Sequence, residues 1–260
     1  FDGDIDDGGH YRVDRALLEA RVSPGRRPTL PIALSFGYRF DGYEFGGGGA
    51  FGAGPWGNVH SLRASIPIFF PLGERWHVIA VPTIRTTVEE GAEFDDGITG
   101  GGFVGAGYRI NERLSLGPGF GYLTQLEDDP SWFPVLVVDW EITPTLSLKT
   151  GQGLGATQGP GVFLEWKPDP CWMLSFGGRY ERNRFRLDDH GVAPRGIGEE
   201  SQFALLATAR YRLRERLTLS ASVGVSFLGE LRLEDRWGNR LFREDADPAP
   251  FVGLGLNWEL

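Results

Sequence analysis

The stretch Leu217–Leu233 reads LTLSASVGVSFLGELRL. Taken alternately, it sorts into two faces. One holds Leu217, Leu219, Ala221, Val223, Val225, Phe227, Gly229, Leu231 and Leu233. The other holds Thr218, Ser220, Ser222, Gly224, Ser226, Leu228, Glu230 and Arg232. Successive side chains of a strand point to opposite faces, so this is a strand with an apolar and a polar side. It is far longer than the usual strand of about five or six residues. A closed sheet, apolar outside and polar inside, is one of two architectures able to span a lipid bilayer.

The same alternation recurs along the chain. It gives thirteen runs, at about 10–22, 30–45, 57–70, 75–89, 97–110, 114–127, 131–142, 145–155, 160–167, 171–187, 199–213, 217–233 and 249–260. No helical period of comparable length competes with them. No stretch approaches the roughly 18 apolar residues of a membrane helix. Connections alternate in length. Pro71–Glu74, Asn111–Arg113, Thr143–Pro144, Pro168–Pro170 and Arg214–Arg216 are short. Gly46–Trp56, Glu90–Asp96, Gln125–Pro130, Ala156–Gly159, Asp188–Gly198 and Glu234–Pro248 form the other set, mostly longer and rich in glycine or acids. Short periplasmic turns and long outer loops are the habit of outer-membrane barrels.

Residues 1–260 therefore read as one all-β domain, a transmembrane antiparallel up-and-down β-barrel of the bacterial outer membrane. Trp76, Trp140, Trp166, Trp172 and Trp258 fall beside the short turns or the C-terminus, where they would form an aromatic girdle at one interface. If the C-terminus is periplasmic, thirteen runs start the first on the outer side. Single-chain bacterial barrels normally have an even strand number. The expectation is fourteen strands, with one upstream of Phe1; the alternative is twelve. Residues 1–9 read as an outer loop. No signal peptide is visible, which reads as a processed chain.

Composition excludes several chemistries. Cys171 is the single cysteine, so an internal disulfide is impossible and a cysteine-based metal site is not expected. The net charge is −9 and no basic stripe occurs, which argues against nucleic-acid binding. No cofactor or metal site of standard spacing is present. The 39 glycines lie inside the runs as well as between them, as close-packed, curved strands require.

Charges facing lipid cost about 2–4 kcal/mol each near the midplane, so the polar face points inward. That places Arg15, Glu19, Arg21, Arg39, Arg63, Arg85, Arg109, Asp139, Glu141, Lys149, Glu165, Arg179, Glu181, Arg210, Arg212, Glu230 and Arg232 in the lumen. Two readings follow: an arginine-rich pore favouring anions, or a salt-bridge network filling a narrow barrel. Inward Phe69, Phe103, Phe133 and Phe163 suggest partial plugging. Hydrolysis finds little support. His60 and Ser61 are adjacent on a strand and point apart. Asp188-Asp189-His190 has an Asp-x-His spacing like that of outer-membrane aspartyl-type proteases; with Asp95 and Asp96 it would make a water-activating site, against the plainer reading of a solvated acidic loop. Gly46–Gly49 lacks the lysine of a phosphate loop and reads as a flexible loop.

Several segments resemble a family of uncharacterised bacterial outer-membrane β-barrels that is defined as a domain of unknown function. They are Val59–Pro67, the run from Trp76, Tyr108–Leu116 with Gly119–Tyr122, Phe133–Trp140, Tyr211–Leu219 with Gly224–Phe227, and Ala249–Trp258. The resemblance implies an extra strand before an acidic segment like Phe1–Gly9, and no catalytic residues. The last strand is similar to the recognition strand read by the barrel-assembly machinery, except that it ends on Leu260 where an aromatic is usual. The expected function is non-enzymatic: a small porin-like passive channel or a structural barrel. The alternatives are a membrane anchor holding a partner protein, and an outer-membrane hydrolase. Expected partners are outer-membrane lipids and lipopolysaccharide, the assembly machinery, and a protein partner or a second copy.

Overall fold

The computed structural model describes residues 2–6, 8–22, 33–150 and 158–258. Its strands are β1 (Asp2–Asp4), β2 (Gly9–Val22), β3 (Leu34–Gly47), β4 (Val59–Ser65), β5 (Ile68–Leu72), β6 (Trp76–Glu89), β7 (Ile98–Asn111) and β8 (Leu114–Gln125). There follow β9 (Asp128–Glu141), β10 (Leu146–Thr150), β11 (Gln158–Trp166), β12 (Trp172–Arg186), β13 (Ile197–Arg214), β14 (Leu217–Glu234), β15 (Arg240–Ala246) and β16 (Ala249–Trp258). Among the described residues the one helical turn is a 3-10 turn at Phe94–Gly97. Every strand pairs antiparallel with its neighbour in one sheet. β4 and β5 both pair with β6, and β15 and β16 both pair with β14. Each couple is thus one crossing interrupted by a kink, at Ile66-Pro67 and at Asp247-Pro248. Proline breaks the ladder at both places because it has no N–H to give. Thirteen crossings remain beside the short β1, the number of alternating runs.

Side chains follow the alternation. Leu18, Phe36, Leu62, Ile84, Val104, Phe120, Leu136, Val162, Phe176, Leu205, Val223 and Leu254 are exposed on the outer face of successive strands. They put exposed apolar side chains on strand after strand of the same face, where a soluble surface keeps such patches small. Glycine lets the wall curve tightly on the inner side. The Phe133 ring lies against Gly121 and the Phe163 ring against Gly177, on the space a Cβ would need. Aromatic cover of a neighbouring glycine is a known way to pin strand register.

Four expectations are corrected. The alternation of Leu217–Leu233 does not run unbroken. Ser201 pairs with Glu230 but Phe203 pairs with Phe227, so β14 holds one extra residue there. Leu228 takes φ 53° at this bulge. A one-residue shift turns every following side chain over. Leu231 and Leu233 therefore point inward with no exposure, and Glu230 and Arg232 stand on the opposite side of the sheet from the lumen. Second, much of Glu234–Pro248 is strand, not loop: β15 prolongs the ladder and leaves only 235–239 as a turn. The side-chain amide of Asn239 holds the Asp235 carboxyl below its ordinary pKa, and Asp235 also accepts from the N–H of Trp237 and Asn239. Third, the expected loop at Gln125–Pro130 is a tight turn at Leu126-Glu127, with Glu127 at φ 49°. Fourth, the acidic N-terminal segment is partly strand.

That fourth correction shapes the barrel. β1 pairs with β2 at Asp2↔Arg12 and Asp4↔His10. On its other side Ile5 bridges Ala246, Asp6 N–H donates to Asp245 O and Asp247 N–H to Asp4 O. The sheet is closed here, at the end carrying the long loops. Toward the end carrying the short turns, β2 and β16 have no strand between them among the described residues. Ala16, Leu17 and Glu19 of β2 face Leu254, Gly255 and Leu256 of β16 across a cavity of about 1290 Å³. The slot is one strand wide, because β1 fills its upper end.

Candidate functional site in the lumen

From the loop end downward, the interior forms three layers. The first is aromatic. Gly46–Gly49 does not introduce a loose loop: Gly47 and Gly49, at φ 86° and 74°, turn residues 48–58 back into the barrel. Phe51 and Trp56 are buried there. The Trp56 ring meets Phe45, Phe51, Phe185 and Tyr43 edge-on at 5.2, 5.6, 5.3 and 6.0 Å. Ile5, Tyr11, Val13, Leu187, Leu231, Leu233 and Ala246 complete the cluster. Opposite walls also touch, since Arg186 of β12 and Val88 of β6 form a parallel pair across the ring.

Polar ties knit the loops above this plug. Arg186 donates to Glu127, to Arg195 O and to Asp96 O, joining three loops, and Arg195 pairs with Asp96 at 3.0 Å. Glu89 accepts from the N–H of Gly57 at 2.7 Å and of Asp188 at 3.0 Å. Arg184, 4% exposed, pairs with Glu199 at 2.8 Å and Glu234 at 2.5 Å and donates to Leu126 O. Arg182 joins Glu199 at 2.8 Å.

The second layer is ionic. Asp41, with no exposed side-chain surface, receives Arg39 at 2.7 Å and Arg15 at 3.3 Å. Arg15 also pairs with Glu200 and, at 3.3 Å, with Glu181, which takes Arg179 at 2.5 Å. Tyr43 OH donates to Glu200 at 2.7 Å. Asp41, Tyr43, Asn183 and Glu200 belong to this centre and were not expected from the sequence. Their signal lay in the alternation, which carries Asp41 to the face of Arg39 and Asn183 to the face of Glu181. Arg63 and Arg85 sit opposite each other on β4 and β6, with Arg63 paired to Glu19 at 2.5 Å and Arg85 Nε donating to Thr99.

The third layer is open toward the turn end. Glu165 is buried, and Phe103 and Phe163 fill the wall beside it, while Phe69 is exposed against His77 at 5.3 Å. Lys149 pairs with Asp139 at 3.7 Å. Arg109, Asp139, Glu141 and Arg212 are exposed, and Arg210 is half-buried. Among the expected lumen charges with described side chains, the register shift puts Glu230 and Arg232 on the other side: Glu230 pairs with Arg243 and Arg232, and Arg232 lies 3.7 Å from Glu234. The side chain of Arg21 lies outside the described residues, as do the side chain of Trp258, residue Leu260 and most of the Ala156–Gly159 connection.

Trp76, Trp140, Trp166 and Trp172 are 41–48% exposed at the turn end. Trp76 rests on Tyr108 at 4.9 Å and Trp172 on Tyr211 at 4.8 Å. Cys171 is exposed and free. His190, 82% exposed, meets Asp189 at 2.7 Å beside Asp188, but Asp96 of the other loop is tied to Arg195. Ser61 is buried, while His60 faces away and meets Tyr38 OH at 2.8 Å.

No family model matches the chain, and no curated protein matches it. Among solved structures, the chain is similar to one described as "NanC porin structure in rhombohedral crystal form", at 11% identity and a TM-score of 0.36, covering 100% of this chain and 98% of that one. The resemblance to the uncharacterised barrel family is left without a family assignment.

Proposed function

We propose that this protein is an integral outer-membrane β-barrel whose lumen is sealed at the loop end, so that it serves as a structural or anchoring barrel and not as an open channel. The apolar belt, the inward charges and the tryptophan ring support the membrane reading. The observation that carries the closure is the aromatic cluster around Trp56, roofed by the Arg186 and Glu89 ties. In this reading the long loops face outward into lipopolysaccharide and the short turns face the periplasm. Outer-membrane lipid surrounds the belt, and the barrel-assembly machinery inserts the chain. The slot between β2 and β16 takes a fourteenth strand, antiparallel to both, because the backbone of β1 enters from that direction. A partner protein would engage the rigid loop surface, since the lumen is occupied by the protein's own side chains.

Vesicles containing lipids brominated on the acyl chains test the placement. Trp76, Trp140, Trp166 and Trp172 are expected to lose fluorescence, one by one in single-tryptophan variants, while Trp56 keeps its emission. Quenching of Trp56, or none at the four girdle positions, would sink the membrane reading.

A further inference from the structure

Below the ionic layer, the inner wall carries a set of donors that border one small cavity. Arg39 of β3, Ser61 of β4 and Thr87 of β6 are direct cross-strand partners. Such neighbours stand about 4.5–5.5 Å apart on one face of a sheet. Arg63 lies two residues along β4 from Ser61, on the same face. Thr87 is 1% exposed and Ser61 is 7% exposed. The atoms Arg39 Nε, Ser61 Oγ, Arg63 Nε and Thr87 Oγ1 are buried and have no hydrogen-bond partner among the described residues. Four unanswered donors in one patch are unusual, because buried polar groups are nearly always satisfied.

The same patch concentrates positive charge. Arg63 faces Arg85 directly, and Arg39 stands on the same face, one strand over. Like charges opposite one another on neighbouring strands repel. Among the described residues, Asp41 is shared between Arg39 and Arg15, and Arg63 engages Glu19 across the space left by Gly37. Glu19, Arg39, Ser61, Arg63, Arg85 and Thr87 border a cavity of about 40 Å³. A single water needs roughly 10–15 Å³ by this measure, so the space takes a few waters or one compact group. Glu19 also borders the 1290 Å³ cavity at the turn end, which carries Arg15, Lys167, Arg210 and Arg212. Leu17 and Glu19 border both cavities, so the lumen side of the larger one, which also carries Asp169, adjoins the donor patch, while its β2–β16 side is the slot of the fourteenth strand.

The geometry points to a binding site for one small free oxyanion, a phosphate, sulfate or short carboxylate, held by Arg39, Ser61, Arg63 and Thr87 and entered from the turn end. Guanidinium groups suit such anions through charge-assisted hydrogen bonds, and the two hydroxyls supply neutral donors to the remaining oxygens. This goes beyond the sealed-barrel reading: the site lies below the plug, and its occupancy does not depend on whether solute crosses.

The test is calorimetric titration of inorganic phosphate into the full chain, refolded in a sugar-headgroup detergent at constant sodium chloride. Saturable one-site uptake is expected. The Ser61→Ala/Thr87→Val variant is expected to bind at least tenfold more weakly with an unchanged heat-modifiable gel shift, and Ser61→Ala alone to show an intermediate loss. Arg63→Gln is expected to remove binding. No saturable uptake by the unmodified chain would mean that the cavity holds water only, and would overturn the proposal. So would a folded double variant that binds phosphate as tightly as the parent.

Discussion

Arg184→Ala is expected to lower the unfolding free energy of the barrel by about 3–5 kcal/mol, because it removes the buried arginine that two buried carboxylates share. Glu199 and Glu234 are 3% and 4% exposed, and each would lose its short ion pair with this arginine. The Leu126 carbonyl would lose both donors that now reach it from Arg184. The contrast is Arg12–Asp14, whose side chains are 57% and 64% exposed. Arg12→Ala should cost under about 1 kcal/mol, since water screens such a pair. Urea titration of both variants in vesicles checks the ratio. A third variant sharpens the physics: Arg184→Met with Glu199→Leu and Glu234→Leu removes the three buried ions and leaves Arg182 and Arg232, which are part-exposed to water. It is expected to recover most of the loss, as replacing a buried ionic group by apolar side chains of similar volume is often neutral. Equal small effects for Arg184→Ala and Arg12→Ala would mean that water reaches the cluster.

Trp56→Ala is the second large effect, expected at about 3–5 kcal/mol from lost burial plus the cavity left among four rings. The indole is wedged against Tyr43, Phe45, Phe51 and Phe185, which come from two strands of opposite walls and the loop between β3 and β4. Its Nε1–H has no acceptor among the described residues. Trp56→Phe keeps a ring in place and removes that donor, so it should cost under about 1.5 kcal/mol. A tryptophan that mattered mainly through its N–H would make the two variants about equally costly.

Under the proposed membrane placement, the crossing strands were legible in the sequence because lipid forces a strict alternation on each one. Leu217–Val225 illustrates it, with Val223 and Val225 exposed on the belt and Ser226 turned in. Beyond the belt that force ends. β15 was hidden because Arg240, Arg243, Glu244 and Asp245 put polar groups on both faces, so period two disappears where both sides meet water or other loops. In the bulge Leu228-Gly229 the left-handed residue is the leucine and not the glycine, so its backbone leaves no mark in the residue type. Glu230 and Arg232 were therefore assigned to the wrong side. The inward charges were readable as a set, but their pairing was not. Arg15 meets Glu200 and Glu181 only because closure of the ring brings β2 against β12 and β13. The folding-in of Phe51 and Trp56 was equally out of reach, since a glycine-rich segment serves a surface loop and a plug alike.

Single-channel recording of the refolded chain in a planar bilayer tests the sealed lumen most directly. A silent bilayer is predicted, from protein shown by heat-modifiable mobility to be folded and inserted. Steady, salt-dependent conductance from that same folded protein would contradict it, and would mean that the cluster around Trp56 does not close the mouth.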